Sequence, residues 1–249
     1  MKRNAKSIVG YTIGAIDGEI GKVQRFFFDD KTWKVLYLVV ETGNWLMGNE
    51  VLIATSALLS PDWEKGIFPI KLTKEQIKNG PGIDTEKPVS RQEEIKKQEF
   101  YLKANYWGGG FYAGGLPVSM FHAILKDGPE SKEKKSHDNP HLRSTAKVDG
   151  YHIEASDGAI GDVVDFIIND YSWQIDFIVV DTGHWLPGKK VLVSPKWIRE
   201  INYETSTVII NSSIARVKSS PDYNPDEVLI ESYEAQLHNH YNAAGINRQ

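Results

Sequence analysis

Histidines, recurring acids and a pair of loop tryptophans are the residues of this chain whose types and spacing could do chemistry. A zinc hydrolase needs two histidines four apart on a helix with a companion acid. His122, His137, His141, His152, His184, His238 and His240 supply no such helical set. Asp17, Asp29 and Asp30 recur as Asp157, Asn169 and Asp170. Paired carboxylates can move protons or hold a hard cation. Asp before Gly, or inside a four-residue polar stretch, is more simply a turn residue, and these acids are read so. Cysteine is absent, which removes thiolate nucleophiles, disulfides and cysteine-based metal sites. Gly108–Gly110 is followed by no Gly-Lys-Ser/Thr and is no phosphate loop. No catalytic, cofactor or metal set emerges, so the chain is expected not to be an enzyme. What remains is Trp45-Leu46 and Trp185-Leu186, each flanked by glycines, with Lys189 and Lys190 just beyond the second pair. A loop aromatic can anchor a protein partner; the alternative is a ring folded back on its own domain. The lysines can meet an anionic partner, or simply solvate an edge strand and block aggregation.

The elements that must position these residues come in two sets. Gly10-Tyr11-Thr12-Ile13 returns 140 residues later as Gly150-Tyr151-His152-Ile153, Asp17-Gly18 as Asp157-Gly158, Trp33 as Trp173, and Thr42-Gly43-Asn44-Trp45-Leu46 as Thr182-Gly183-His184-Trp185-Leu186. About half the positions between Gly10 and Leu52 are identical, without a gap. A period this long makes each copy a domain rather than a solenoid repeat. Alternating and doubly apolar runs predict strands at 19–28, 33–41, 51–54 and 67–72, and at 159–168, 173–181, 191–194 and 207–210. Asp-Gly pairs and short polar stretches separate them. Five or more short sequential strands suit a small antiparallel barrel, whose closure removes edges. Lys74–Lys78 and Ile214–Lys218 read as short helices. Ser90-Arg91-Gln92-Glu93 reads as a capping box opening a tail helix to about Tyr106. Tyr233, Leu237 and Tyr241 stand at i, i+4 and i+8 in a second tail helix, 230–241. Trp33 and Trp173 are read as structural.

The chain has 249 residues, a net charge of −4 and a pI near 6.0. Nonspecific nucleic-acid binding draws on a cationic surface, so this balance argues against it as the main role. Residues 103–126 hold no charge between the flanking lysines, but their glycines and Pro117 argue against a membrane span. Residues 126–147 are polar and charged, and are expected to be a mobile linker.

The pattern Gly-Tyr-x-Ile-x-Ala-x-Asp-Gly-x-Ile-Gly-x-Val, followed by Val-Val-x-Thr-Gly-x-Trp-Leu-x-Gly, resembles the PRC-barrel domain, as in the cytoplasmic part of the photosynthetic reaction-centre H subunit. The stretches Pro140–Thr145 and Trp185–Pro195 are similar to bacterial tandem PRC-barrel proteins. The resemblance implies a mainly β protein made of two small antiparallel PRC-type barrels, each with a short helix and a tail helix. The expected divisions are barrel 1 at 5–81, tail helix 1 at 82–106, a linker at 107–147, barrel 2 at 148–221 and tail helix 2 at 222–249. It implies a non-catalytic, cytoplasmic adaptor that binds a protein partner, a second copy of itself, or its own other half as an internal pseudo-dimer. Two alternatives come with the family: a ribosome-associated maturation factor, and an accessory protein of a photosynthetic or electron-transfer complex.

Overall fold

The computed structural model describes residues 1–46, 48–79, 141–183, 189–227 and 229–242. Expected tail helix 1, and the linker up to residue 140, lie outside these residues. The first half runs β1 (Lys2–Asn4), α1 (Ala5–Ile8), β2 (Thr12–Ala15), β3 (Gly18–Asp29), β4 (Val35–Glu41), β5 (Glu50–Ala54), β6 (Ile67–Pro69) and α2 (Lys74–Lys78). The second runs β7 (Leu142–Ser144), α3 (Thr145–Val148), β8 (His152–Ala155), β9 (Gly158–Asn169), β10 (Ile175–Asp181), β11 (Lys190–Val193), β12 (Ile198–Asn202), β13 (Thr207–Ile210), α4 (Ile214–Lys218) and α5 (Glu231–Asn242). The protein is mainly β, as expected.

Each half builds its own sheet, and the two sheets bury one shared apolar core. The orders are β5-β4-β3-β2-β6 and β11-β10-β9-β8-β13-β12. Most pairs are antiparallel, but β2 with β6 and β8 with β13 run parallel. Ladder pairing does not join β5 to β6, or β11 to β12. In the second half a 3-10 turn, Pro195–Trp197, crosses that gap instead. β4 and β10 bury residues on both faces, which is why their sequences do not alternate cleanly. Ile13, Val23, Phe28, Leu38 and Phe68 of the first half and Ile153, Val163, Ile168, Ile178 and Val208 of the second belong to one continuous core, with the Phe28 and Phe166 rings 6.0 Å apart across it.

Local chemistry fixes the corners. Asp17 accepts a hydrogen bond from the Lys74 N–H at 2.9 Å, and Asp157 accepts from the Ile214 N–H at 2.7 Å. The turn acid of each half therefore also ties down the start of a short helix. Thr73 and Gln76 form a capping box on α2. Gly21 is required by proximity: a Cβ there would stand 1.8 Å from the Glu41 carbonyl oxygen. Gly161 stands in the same relation to Asp181, at 1.9 Å.

The halves exchange their first strands. β1 pairs with β9 (Lys2↔Asn169, Arg3↔Ile168, Asn4↔Ile167), and β7 pairs with β3 (Leu142↔Asp29, Arg143↔Phe28, Ser144↔Phe27). Residues 141–147, assigned to the linker by their polarity, are thus ordered strand and helix. Three residues that pair with a distant strand carry no periodicity of their own. Between the halves Lys34 bridges to Gln174, the Val35 N–H donates to the Trp173 carbonyl, and the Ile175 N–H donates to the Trp33 carbonyl. Both tryptophans are buried and have positive φ, 59° and 57°. That backbone region is costly for a bulky residue; here it belongs to the two residues whose carbonyls cross the joint.

α5 closes the second half. Leu237 and Tyr241 are buried, and the Tyr241 ring stacks on Trp197 at 3.9 Å. Expected tail helix 2 is helical from Glu231 only; before it, the Tyr223 N–H donates to the Lys190 carbonyl and covers the edge of β11. Lys2 reaches from the first strand to Glu234 on α5 and to Asp176 on β10, the latter at 3.0 Å. Burial disfavours the Lys2 charge, but the two carboxylates together outweigh it and raise its pKa.

Candidate functional site

The two tryptophan loops share a locked neck. Thr42 is buried, and its hydroxyl donates to the Asn49 carbonyl at 2.6 Å; Thr182 does the same to Lys189 at 3.0 Å. In the first loop Gly43–Leu46 form a single 3-10 turn, closed by the Gly48 N–H donating to the Gly43 carbonyl. Trp45 lies in that turn and Leu46, partly buried, ends it. Trp185 and Leu186 lie outside the described residues. Lys190 starts β11, paired with Asp181. Lys189 is spent inside the chain: its ammonium donates to the Lys218 and Ser220 carbonyls at 2.8 Å each and pairs with Asp222 at 2.6 Å. A cation on the last carbonyls of a helix is favourably placed. With 16% of its side chain exposed, Lys189 acts as the C-terminal cap of α4.

Asp30 and Asp170 are the correction to the turn reading. Asp29 and Asn169 do hold their turns, accepting from the N–H groups two and three residues on. The next residue in each half faces the joint instead. The Asp30 carboxylate accepts the Tyr203 hydroxyl at 2.6 Å, meets His141 Nδ1 at 2.9 Å and pairs with Arg143 Nε at 3.1 Å. Asp170 pairs with Arg3 Nε at 3.0 Å and with the terminal amine of Met1. The guanidinium of Arg143 lies 4.0 Å over the Tyr203 ring, and that of Arg3 lies 3.7 Å over Trp63. Each half therefore grips the other with Asp, Arg and an aromatic ring. Burial and the hydrogen bond to Asp30 raise the Tyr203 pKa, so the phenol stays a donor. The clue in the sequence was the repetition of Arg3 as Arg143 and of aromatic Trp63 as Tyr203 at the same 140-residue offset.

Beside the Asp30 grip is an open cleft of about 360 Å³. It is lined by Lys31, Trp33, His141, Pro195 and residues of the edge strand β12. Arg199 and Glu200 on β12 are exposed and make no ion pair among the described residues. The matching edge in the first half contains Pro61, which blocks ladder pairing, and only Leu58 and Asp62 form isolated bridges there. The described residues contain no group of three or more His, Asp or Glu able to hold a metal ion, and no helix long and apolar enough to cross a membrane.

Set against known families, residues 2–77 match the PRC-barrel domain. Over those residues the chain is similar to a PRC-barrel domain, a fold of the protein-interaction or scaffold type. No curated protein matches the sequence.

Proposed function

We propose that the chain is a non-catalytic adaptor, built from two PRC-barrels that share one joint, which holds a protein partner on its outer surface. The observation that carries this reading is the contrast between interior and exterior. The interior is filled by fully buried side chains from both sheets. Lys31, Arg199 and Glu200 stand exposed around the cleft and make no ion pair among the described residues. A partner is therefore met by side chains on the rim rather than by an internal pocket. The repeated element order and exchanged strands support taking the second half as a second barrel of the same kind. The experiment is affinity capture from RNase-treated native lysate with three baits: wild type, Trp45→Ala/Trp185→Ala, and Arg199→Ala/Glu200→Ala. A protein recovered by wild type and lost with one variant assigns the surface. Equal recovery by all three baits, or no specific protein, overturns the adaptor reading on these surfaces.

A further inference from the structure

The exchanged strands leave each half with a surface made for the other. β3 has β4 along one edge from Lys22 to Phe28. On its other edge β2 pairs only with Gly18–Lys22, and β7 from the second half takes up Phe27–Asp29. β9 repeats the arrangement, with β8 over Gly158–Asp162 and β1 over Ile167–Asn169. Without the exchange, each long strand would end in an open edge beside a cluster of buried apolar residues. Unpaired edges of that kind are templates for association. The short helices behind the strands follow them across: Ile8 and Val148 are fully buried, and Asp165 of β9 accepts the Lys6 N–H of α1 at 3.1 Å. On the other side, the Thr145 hydroxyl of α3 accepts the Phe26 N–H at 3.2 Å.

We propose that this joint is a self-sufficient association surface whose partner is another unit of the same kind. The chain is a linked dimer of two barrel units, and the connecting segment raises their local concentration without being needed to hold them. Each unit supplies an arm of strand and short helix, and each receives one. This is independent of what the assembled pair binds.

The test begins from the intact, folded chain, so failure to fold cannot obscure it. A site-specific protease sequence is inserted within residues 107–140, and the purified protein is cut and run at micromolar concentration by size exclusion and native mass spectrometry. The expected result is one particle of unchanged size containing both fragments in equal amounts. Two separate, smaller species would overturn the proposal. A second arm uses Asp30→Ala/Asp170→Ala, which removes the acid from both grips. The cut variant should dissociate at a concentration at least ~10-fold higher than cut wild type. Unchanged dissociation would overturn the assignment of the grips to the joint.

Discussion

Replacing Asp30 by alanine separates two readings of one residue. As a turn residue it contributes little, because Asp29 already accepts the N–H groups of Lys31 and Thr32. As a joint residue it contributes three contacts, to Tyr203, His141 and Arg143. The carboxylate is 11% exposed and Arg143 20%, so the pair lies between the surface and buried limits. A hydrogen bond to a charged group contributes about 1.5–3 kcal/mol, and breaking a fully buried pair costs about 3–5 kcal/mol. With partial solvent screening, the expected loss is about 2–3 kcal/mol. For a chain of this size, that corresponds to roughly 4–12 °C in Tm. Asp30→Asn keeps an acceptor for Tyr203 and should lose about half as much. The assay is urea and thermal unfolding of both variants, with a double-mutant cycle against Tyr203→Phe. Coupling of about 1 kcal/mol or more is expected for groups in one network. A loss below about 0.5 kcal/mol for Asp30→Ala, with no coupling to Tyr203, would refute the joint and restore the turn.

Gly21→Ala drives a methyl group into the Glu41 carbonyl, so the strands must part; a loss of at least ~2 kcal/mol is expected in chemical denaturation. Leu237→Ala empties the buried contact of α5 and should cost about 2–5 kcal/mol, with a change in near-ultraviolet circular dichroism as Tyr241 loosens from Trp197. Burial raises the Asp165 pKa despite the N–H groups of Phe166 and Lys6 that it accepts. A carboxyl whose folded pKa lies above its unfolded value contributes stability as pH falls through the folded pKa, and loses it as pH rises. Asp165→Asn should therefore be the more stable form at neutral pH and lose that advantage on acidification, so that its stability falls more steeply than wild type's as pH drops; unfolding midpoints measured from pH 4 to 7 check both.

The repeated half, its strands and its short helices were legible because they rest on local signals. Asp-Gly turns, the doubly apolar runs of β4 and β10, and the spacing of Tyr233, Leu237 and Tyr241 each state their structure within a few residues. Lys74–Lys78 and Ile214–Lys218 stand where the sequence placed them. The joint was not legible for the opposite reason. β1 and β7 are three residues each, too short for a period to declare itself, and their partners lie more than a hundred residues away. Polarity then misassigned residues 141–147, because Arg143 and His141 are charged or polar for the sake of Asp30, not of solvent. Lys189 misled in the same way: an adjacent lysine pair looks like a surface patch, and one member is folded onto the end of a helix.

Two-fold repetition also explains why the halves can differ in their outer faces. Whatever holds the joint must be kept in both copies, since each strand pairs with the other copy's sheet; Asp30 and Asp170, Arg3 and Arg143, Trp33 and Trp173 are kept. Positions outside it are free to diverge once a single copy suffices. Pro61 blunts one edge where Ile201 keeps its ladder partner, Val208, in the other, and Ala57 stands where Trp197 receives Tyr241. On the adaptor reading proposed above, that asymmetry has a use: the joint repeated in both copies sets the geometry, and the divergent edges present two different surfaces.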